Sequence, residues 1–171
     1  ATCNRVELIF ARSDRTPVAV EIGCGSGAIA VCLALELPRL QVYASDVDPA
    51  AVALTLRNAR LLGAGARVHA EEGSRFDPLP QHLRGQVDLL VSNPPYIPCE
   101  DIPRLQAGVR DYEPHMALDG GSDGFAIFDR LADQARHHLK PGGHLIVEIG
   151  SPQEERARQR IASFPQYELG K

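Results

Sequence analysis

Residues 18–27 read VAVEIGCGSG, an apolar run that ends in three closely spaced glycines. The run Val18–Ile22 predicts a buried strand, because short β-branched runs bounded by glycine are typical of strands. The glycines Gly23, Gly25 and Gly27 predict a tight turn where a ligand can approach the backbone without meeting a Cβ atom. Alone, this turn does not identify the ligand, since its glycine spacing only loosely resembles the GxGxxG pattern of nicotinamide enzymes.

The rest of the chain alternates predicted helices and strands. Helices are expected over 26–37, 49–63, 125–139 and 152–164, and further strands over 41–46, 67–70, 87–92 and 144–149. Asp48 is expected to cap the second helix, with Pro49 at its first position. The pattern predicts an α/β fold, a doubly wound, mostly parallel Rossmann-like sheet with helices on both faces. Because such sheets bind ligands at the carboxyl ends of their strands, the site is expected after strands one, two and four.

Composition indicates one globular domain of 171 residues, with 44% hydrophobic residues, 23% charged residues and a net charge of -4. A net negative chain without a block of basic residues disfavours a stand-alone nucleic-acid binder. No stretch approaches the roughly 20 apolar residues that span a bilayer. The cysteines show no metal-ligand spacing and suit free thiols in a reducing compartment (Cys3, Cys24, Cys32 and Cys99). The sequence therefore predicts a cytoplasmic protein without a metal site.

An acidic residue, Asp46, ends the second predicted strand. A carboxylate at this position can accept hydrogen bonds from both hydroxyls of a ribose, as in dinucleotide-binding folds. Asp48 is better placed for the capping role, which leaves Asp46 free for a ligand. Together with the glycine turn (residues 23–27), Asp46 predicts a nucleoside-type cofactor and leaves open whether that cofactor is NAD or S-adenosylmethionine.

The fourth predicted strand is followed immediately by Asn93-Pro94-Pro95-Tyr96. Two prolines fix the backbone and remove two N–H donors, so their carbonyl oxygens remain available as acceptors. With the side-chain oxygen of Asn93 and the ring of Tyr96, they predict a clamp (residues 93–96) for the planar amino group of an amide or a nucleobase. Holding both N–H bonds aims a weakly nucleophilic amide nitrogen at an electrophilic methyl group, which is a positioning effect. The clamp therefore favours S-adenosylmethionine over NAD.

These motifs resemble those of the class I S-adenosylmethionine-dependent methyltransferases, and among them the protein-(glutamine-N5) methyltransferases that modify peptide chain release factors. The NPPY motif is shared with DNA adenine and some ribosomal RNA methyltransferases. The more specific match is residues 109–124, VRDYEPHMALDGGSDG, which is very similar to the loop of the release-factor enzymes. The resemblance spans 18–169 and implies direct methyl transfer to the side-chain amide nitrogen of a glutamine in a release factor, with S-adenosylhomocysteine as product.

The resemblance also implies roles for individual residues. The cofactor contacts it implies are Glu21, Gly23, Cys24, Gly25, Ser26, Gly27, Asp46, Val47, Ser74, Arg75 and Asn93. The catalytic residues it implies are Asn93, Pro94, Pro95 and Tyr96, with Asn93 touching both the cofactor and the target amide. Family members contact the adenine through an acidic and then a bulky apolar residue. Here Ser74-Arg75, followed by Phe76, departs from that pattern, although an arginine plane can still stack on a base.

Three alternatives remain open at this point, one of them a non-catalytic binding module that kept the cofactor fold. An adenine-N6 or other amino-group methyltransferase acting on DNA or RNA would use the same clamp, but residues 109–124 and the net negative charge disfavour it. A nicotinamide-dependent oxidoreductase would give the clamp no purpose.

The resemblance further implies a domain organisation. Family members carry an N-terminal helical substrate domain and end in a β-hairpin that completes a seven-stranded sheet. We therefore expect residues 1–171 to be the catalytic domain, with 1–16 a residual linker or helix and with the helical domain and the hairpin missing. The predicted strand 144–149 would then form an apolar sheet edge.

Overall fold

The computed structural model describes residues 15–169, so most of the expected linker or helix over 1–16 lies outside the described residues. This part of the chain divides into two compact units. The first unit consists of 15–92 and His137–Ile146, and the second consists of Asn93–Arg136 and 147–169. The glycine turn and Asp46 belong to the first unit, whereas the clamp belongs to the second.

A five-stranded sheet with the order β3-β2-β1-β4-β5 is the basis of the first unit. Its strands are β1 (Val18–Ile22), β2 (Gln41–Asp46), β3 (Val68–Glu72), β4 (Val87–Ser92) and β5 (Leu139–Val147). The pairs β1–β2, β1–β4 and β2–β3 are parallel. The order reverses between β1 and β4, and ligands of such sheets bind at this reversal. The predicted α/β class and the predicted position of the glycine turn after β1 are confirmed.

Two helices of the first unit, α1 (Ala28–Glu36) and α2 (Pro49–Leu61), connect its first three strands. The carboxylate of Asp48 accepts a hydrogen bond from the Ala50 amide at 2.8 Å, which confirms the predicted cap and helix start. Apolar side chains of these helices and strands form one core cluster that includes Ala30, Val31, Leu40, Val42 and Leu89.

The second unit is mostly helical. It contains α3 (Ala107–Arg110), α4 (His115–Leu118), α5 (Ala126–Ala135) and α6 (Glu154–Ala162), with 3-10 turns at Ile102–Arg104 and Ser151–Gln153. Phe125, Phe128 and Ala157 form its core. The guanidinium groups of Arg156 and Arg160 lie 5.0 and 4.6 Å from the centre of the Phe125 ring. Across both units, no helix in residues 15–169 is long and apolar enough to cross a membrane.

The last predicted strand differs from the structure in its start. The helix expected to run to Leu139 ends at Ala135, and residues 141–143, expected to close that helix, lie inside β5. A proline within a strand is tolerated at a sheet edge, where its missing N–H need not join a ladder. β5 is the outermost strand next to β4, and Ile146 is 47% exposed. The predicted apolar edge is therefore present in the described sheet.

Candidate functional site

The glycine turn that follows β1 exposes main chain on one side and contacts α2 on the other. Gly23, Gly25 and Gly27 all have positive φ angles, of 74°, 52° and 77°. A Cβ atom at Gly23 or Gly25 would meet nothing within 4 Å, whereas one at Gly27 would lie 2.8 Å from the Thr55 side chain. The first two glycines therefore leave bare backbone that a ligand can approach, and the third permits close contact with α2.

Asp46 lies against this turn, as the sequence predicts. Its carboxylate accepts one hydrogen bond from the Gly25 amide at 2.9 Å and another from the Asp48 amide at 3.0 Å. The main chain is joined as well, since the amides of Gly23 and Cys24 both donate to the Ser45 carbonyl. A carboxylate has about four acceptor positions, so Asp46 retains capacity for the hydroxyls of a ribose. Val47, which follows it, is half exposed.

Two side chains of α2 that the sequence analysis missed hold the turn from behind. The hydroxyl of Thr55, which is fully buried, donates to the Gly25 carbonyl at 3.1 Å. The amide of Asn58 donates to the Ser26 carbonyl at 2.9 Å. Thr55 and Asn58 are three residues apart and share one face of α2. That spacing of two polar residues on an otherwise apolar face is the signal that could have revealed them.

The sequence departs from the family pattern in the residues that follow β3. The backbone of Arg75 has a φ of 52°, and its carbonyl accepts a hydrogen bond from the Ser45 hydroxyl at 2.5 Å. Phe76, which follows the pair Ser74-Arg75, is buried and stacks on His138 with a centroid distance of 4.7 Å. Ser74 and Arg75 are half-buried. Phe76 is thus a core residue, and Ser74 and Arg75 present the surface there.

Two buried ionisable groups near the turn have raised pKa values. Burial raises the pKa of Glu21 to about 8. A hydrogen bond from the Ala30 amide lowers this pKa, and the charge of Asp46 raises it further. Burial also raises the pKa of the Cys24 thiol to about 11. Cys24 is therefore a protonated thiol at neutral pH, which suits a small side chain beside a ligand and not a nucleophile.

Glu21 should make the stability of the fold depend on pH. Its folded pKa of about 8 exceeds the ordinary value of 4.5, so its contribution to stability is full below about pH 4.5 and is lost as the pH rises to about 8. We expect Glu21→Gln to remove this loss, because the amide keeps an acceptor for Ala30 and does not ionise. In urea unfolding from pH 5 to 8, the free energy of unfolding of the variant, relative to that of the wild type, should rise by up to about 1.4 kcal/mol per pH unit. If the free energies of unfolding of the two proteins change with pH in parallel, the raised pKa of Glu21 is contradicted.

In the second unit, the clamp combines one exposed residue with anchored neighbours. Asn93 is exposed, Pro94 is buried, and Pro95 and Tyr96 are half-buried. The Tyr96 carbonyl accepts a hydrogen bond from the side-chain amide of Gln153 at 2.8 Å. The clamp therefore offers the Asn93 side chain outward while its backbone is held by the rest of the unit.

The chain that follows the clamp pairs with residues 118–121, which belong to the segment 109–124. The Ile97 amide donates to the Leu118 carbonyl at 3.1 Å, and the Gly120 amide donates to the Ile97 carbonyl at 2.8 Å. Cys99 continues the pairing to the Gly121 carbonyl at 3.0 Å. Residues 97–99 and 118–121 thus form a short backbone ladder, which we call the clamp ladder.

Two glycines of the same loop are required by close contact with Tyr96. A Cβ atom at Gly120 would lie 2.8 Å from the Tyr96 backbone. One at Gly124 would collide with the Tyr96 carbonyl and with Gln153, and Gly124 also has a φ of 79°. The glycines of residues 109–124 therefore permit the approach to the clamp, a physical reason for the two motifs to occur together.

The two units thus present different chemistry. The first offers bare glycine backbone beside a carboxylate, which fits a ligand that has hydroxyl groups. The second offers an amide side chain and proline carbonyls, which fit a planar amino group. Within residues 15–169, no group of three or more His, Cys, Asp or Glu side chains is placed to hold a metal ion.

Comparison with known proteins agrees with this chemistry. A family model described as the methyltransferase small domain matches residues 8–102. A relative named release factor glutamine methyltransferase, from Geobacter sulfurreducens, is 47% identical over 150 residues, which are 88% of this chain and 51% of that protein. The chain spans about half the length of the curated relatives it matches.

Solved structures share the fold at low sequence identity. A ribosomal protein L11 methylase from Lactobacillus delbrueckii subsp. bulgaricus has a TM-score of 0.60 at 17% identity, over 95% of this chain and 67% of that one. An RNA methyltransferase from Salinibacter ruber, in complex with S-adenosyl-L-homocysteine, has a TM-score of 0.55 at 16% identity, over 87% of this chain and 75% of that one. Because the family model covers more than half of the 171 residues, the chain belongs to the methyltransferase small domain family, and its fold is that of the class I methyltransferases.

Proposed function

We propose that the protein transfers a methyl group from S-adenosylmethionine to the side-chain amide nitrogen of a glutamine in a protein, namely a peptide chain release factor. The observation that carries this proposal is the set of curated relatives, 40 to 47% identical to this chain, that are named release factor glutamine methyltransferase. Since the chain spans about half of those relatives, we propose that it carries their catalytic domain.

The glycine turn and Asp46 fit the proposed cofactor. Gly23 and Gly25 leave open space where a Cβ atom would stand, which suits the close approach of a ligand to the backbone. Asp46 is held beside them by the Gly25 amide at 2.9 Å and supplies the carboxylate for the ribose hydroxyls. S-adenosylmethionine, when bound, supplies an electrophilic methyl group on a sulfonium. Glu21, Cys24, Ser26, Gly27, Val47, Ser74 and Arg75 are the further cofactor contacts in this proposal.

The clamp serves the acceptor glutamine in this proposal. The Asn93 side-chain oxygen and the proline carbonyls accept the two N–H bonds of the target amide, and the ring of Tyr96 forms the wall of the pocket. This orientation aims the nitrogen lone pair, which is otherwise delocalised into the carbonyl, at the methyl group. No side chain is required as a general base, because the methylated nitrogen loses its extra proton readily.

The free thiols of Cys24, Cys32 and Cys99 suit a reducing compartment, and we place the reaction in the cytoplasm.

The test is methyl transfer from labelled S-adenosylmethionine to purified release factors. We expect mass spectrometry to locate one added methyl group on a glutamine side chain, and a release factor with that glutamine replaced should accept no label. Duplex DNA and ribosomal RNA are the competing substrates in parallel reactions. Label on adenine, or on no substrate at all, would contradict the proposed function.

Asp46→Ala should weaken the binding of S-adenosylhomocysteine by about 1–3 kcal/mol, the scale for losing charge-assisted hydrogen bonds. Isothermal titration calorimetry measures this change directly. Asp77→Ala is the matched control, because Asp77 is exposed and has no part in the proposed site. Equal affinities for Asp46→Ala and the wild type would remove Asp46 from the cofactor site.

A further inference from the structure

Gln153 is a buried polar residue that the mechanism above does not use. It is the last residue of the 3-10 turn Ser151–Gln153, just before α6, and the residue is 9% exposed. Its carboxamide makes two hydrogen bonds. The side-chain oxygen accepts from the Gly150 amide at 2.9 Å, and the side-chain nitrogen donates to the Tyr96 carbonyl at 2.8 Å.

These two bonds fix which way the carboxamide points. The Gly150 amide is a donor and must face the side-chain oxygen, whereas the Tyr96 carbonyl is an acceptor and must face the NH2 group. A flipped carboxamide would place donor against donor and acceptor against acceptor. Gly124 leaves room for the contact, since a Cβ atom there would collide with both the Gln153 nitrogen and the Tyr96 carbonyl. The arrangement is therefore specific to an uncharged group with one acceptor and one donor.

We propose that Gln153 is the positioning residue of the clamp. By holding the Tyr96 carbonyl, it sets the plane of the peptide that ends the clamp and turns that carbonyl toward Gln153. The acceptors left for a substrate amide are then the Asn93 side chain and the proline carbonyls. Gln153 touches no reacting atom in this scheme, and it acts through Tyr96. The inference rests on the proposed function for its effect on turnover, but the contact itself does not depend on that function.

The test is Gln153→Glu, which changes one donor into a titratable group. The protonated carboxyl still donates its O–H to the Tyr96 carbonyl and accepts from Gly150, whereas the ionised carboxylate can only accept and faces the carbonyl oxygen with like polarity. We expect kcat of the variant to fall by about tenfold at alkaline pH and to recover to within about threefold of the wild type as the pH is lowered, after division by the wild-type profile. The affinity for S-adenosylhomocysteine should stay within about twofold throughout.

Two further variants separate positioning from general damage. Gln159→Glu makes the same substitution on the exposed face of α6, where the Gln159 side chain donates to Glu155, and it should follow the wild type at every pH. Gln153→Met keeps the length of the side chain without a donor, and its kcat should stay low at every pH. If kcat of Gln153→Glu matches the wild type across the pH range, or stays low without recovering, the positioning role is overturned.

A readout without catalysis keeps the inference separate from the proposed function. The four tyrosines can be labelled as 3-fluorotyrosine, and Tyr96→Phe assigns the Tyr96 signal in the ¹⁹F spectrum. The ionisation of the fluorophenol is common to all the proteins, and we expect Gln153→Glu to show an additional shift with pH that is absent from the wild type and from Gln159→Glu. The additional shift in an enzyme that methylates no release factor would support the contact and contradict the proposed function. Its absence in an active enzyme would overturn the role of Gln153.

Discussion

Asn93→Ala is expected to lower the turnover of methyl transfer by about 100-fold, while the affinity for S-adenosylhomocysteine changes by less than about threefold. In the proposed function Asn93 accepts a hydrogen bond from the target amide, and it is the exposed member of a clamp whose other members are half-buried or buried. In that proposal, loss of the Asn93 side chain leaves the target amide free to rotate, so its nitrogen lone pair rarely points at the methyl group. Single-turnover rates at saturating cofactor, combined with calorimetry, separate the two effects.

The control for this experiment is Glu100→Ala, an exposed position in the chain that follows the clamp. It should leave both the rate and the affinity at wild-type values. If Asn93→Ala retains the wild-type rate, the clamp does not position the acceptor. If cofactor affinity falls as far as the rate, Asn93 is a cofactor residue and not an acceptor-positioning one.

Asp88→Ala is expected to lower the free energy of unfolding by about 3 kcal/mol, the largest stability effect that we expect from one side chain. Asp88 is fully buried in β4. Its carboxylate accepts from the Val18 amide at 2.8 Å and from Arg15 at 2.9 Å, and it forms an ion pair with Lys140. Its removal leaves the Val18 amide without this acceptor and takes the ion-pair partner from two cations that are only partly exposed.

Urea unfolding monitored by circular dichroism measures the Asp88 effect. Asp101→Ala is the matched control, because its ion pair with Arg104 joins two exposed side chains. Exposed pairs contribute little, so this variant should lose less than about 1 kcal/mol. Similar losses for the two variants would show that burial does not decide the contribution of Asp88.

The bounds of the interior strands β1 and β4 could be predicted from the sequence, whereas the start of the edge strand β5 could not. The predicted bounds of β1 and β4 match the structure, because each is a short apolar run that stops at a residue with a special backbone role, Gly23 or Asn93. β5 begins at Leu139, five residues before its predicted start at His144. Proline and glycine usually mark the end of an element, but at an outer strand they need not interrupt pairing on the inner side. The resemblance placed this strand at the sheet edge, but the local pattern did not show that Pro141 and Gly142 lie inside it.

The candidate site shows a similar division. The glycine turn and Asp46 were predicted because each is marked by residue type at a strand end, and the structure joins them through the Gly25 amide. Thr55 and Gln153 were missed because their partners are backbone carbonyls 30 and 57 residues away in the chain. The spacing of Thr55 and Asn58 marks two polar residues on an apolar face of α2, but it does not identify the distant carbonyl that each side chain contacts. Only the folded arrangement shows that such residues support the site.

The clamp ladder has a consequence for how this family can diversify. Its backbone bonds hold Ile97 and Cys99 against Leu118, Gly120 and Gly121, so the intervening chain leaves and returns at one fixed place. The entropy of closing such an excursion grows only slowly with length, by about 0.6 kcal/mol for each doubling. Insertions, deletions and replacements between the two sides of the ladder therefore change the free energy of unfolding little through loop closure, and the paired residues can keep their positions. The length and sequence of residues 100–117 can therefore change while the backbone pairing that closes this segment stays the same.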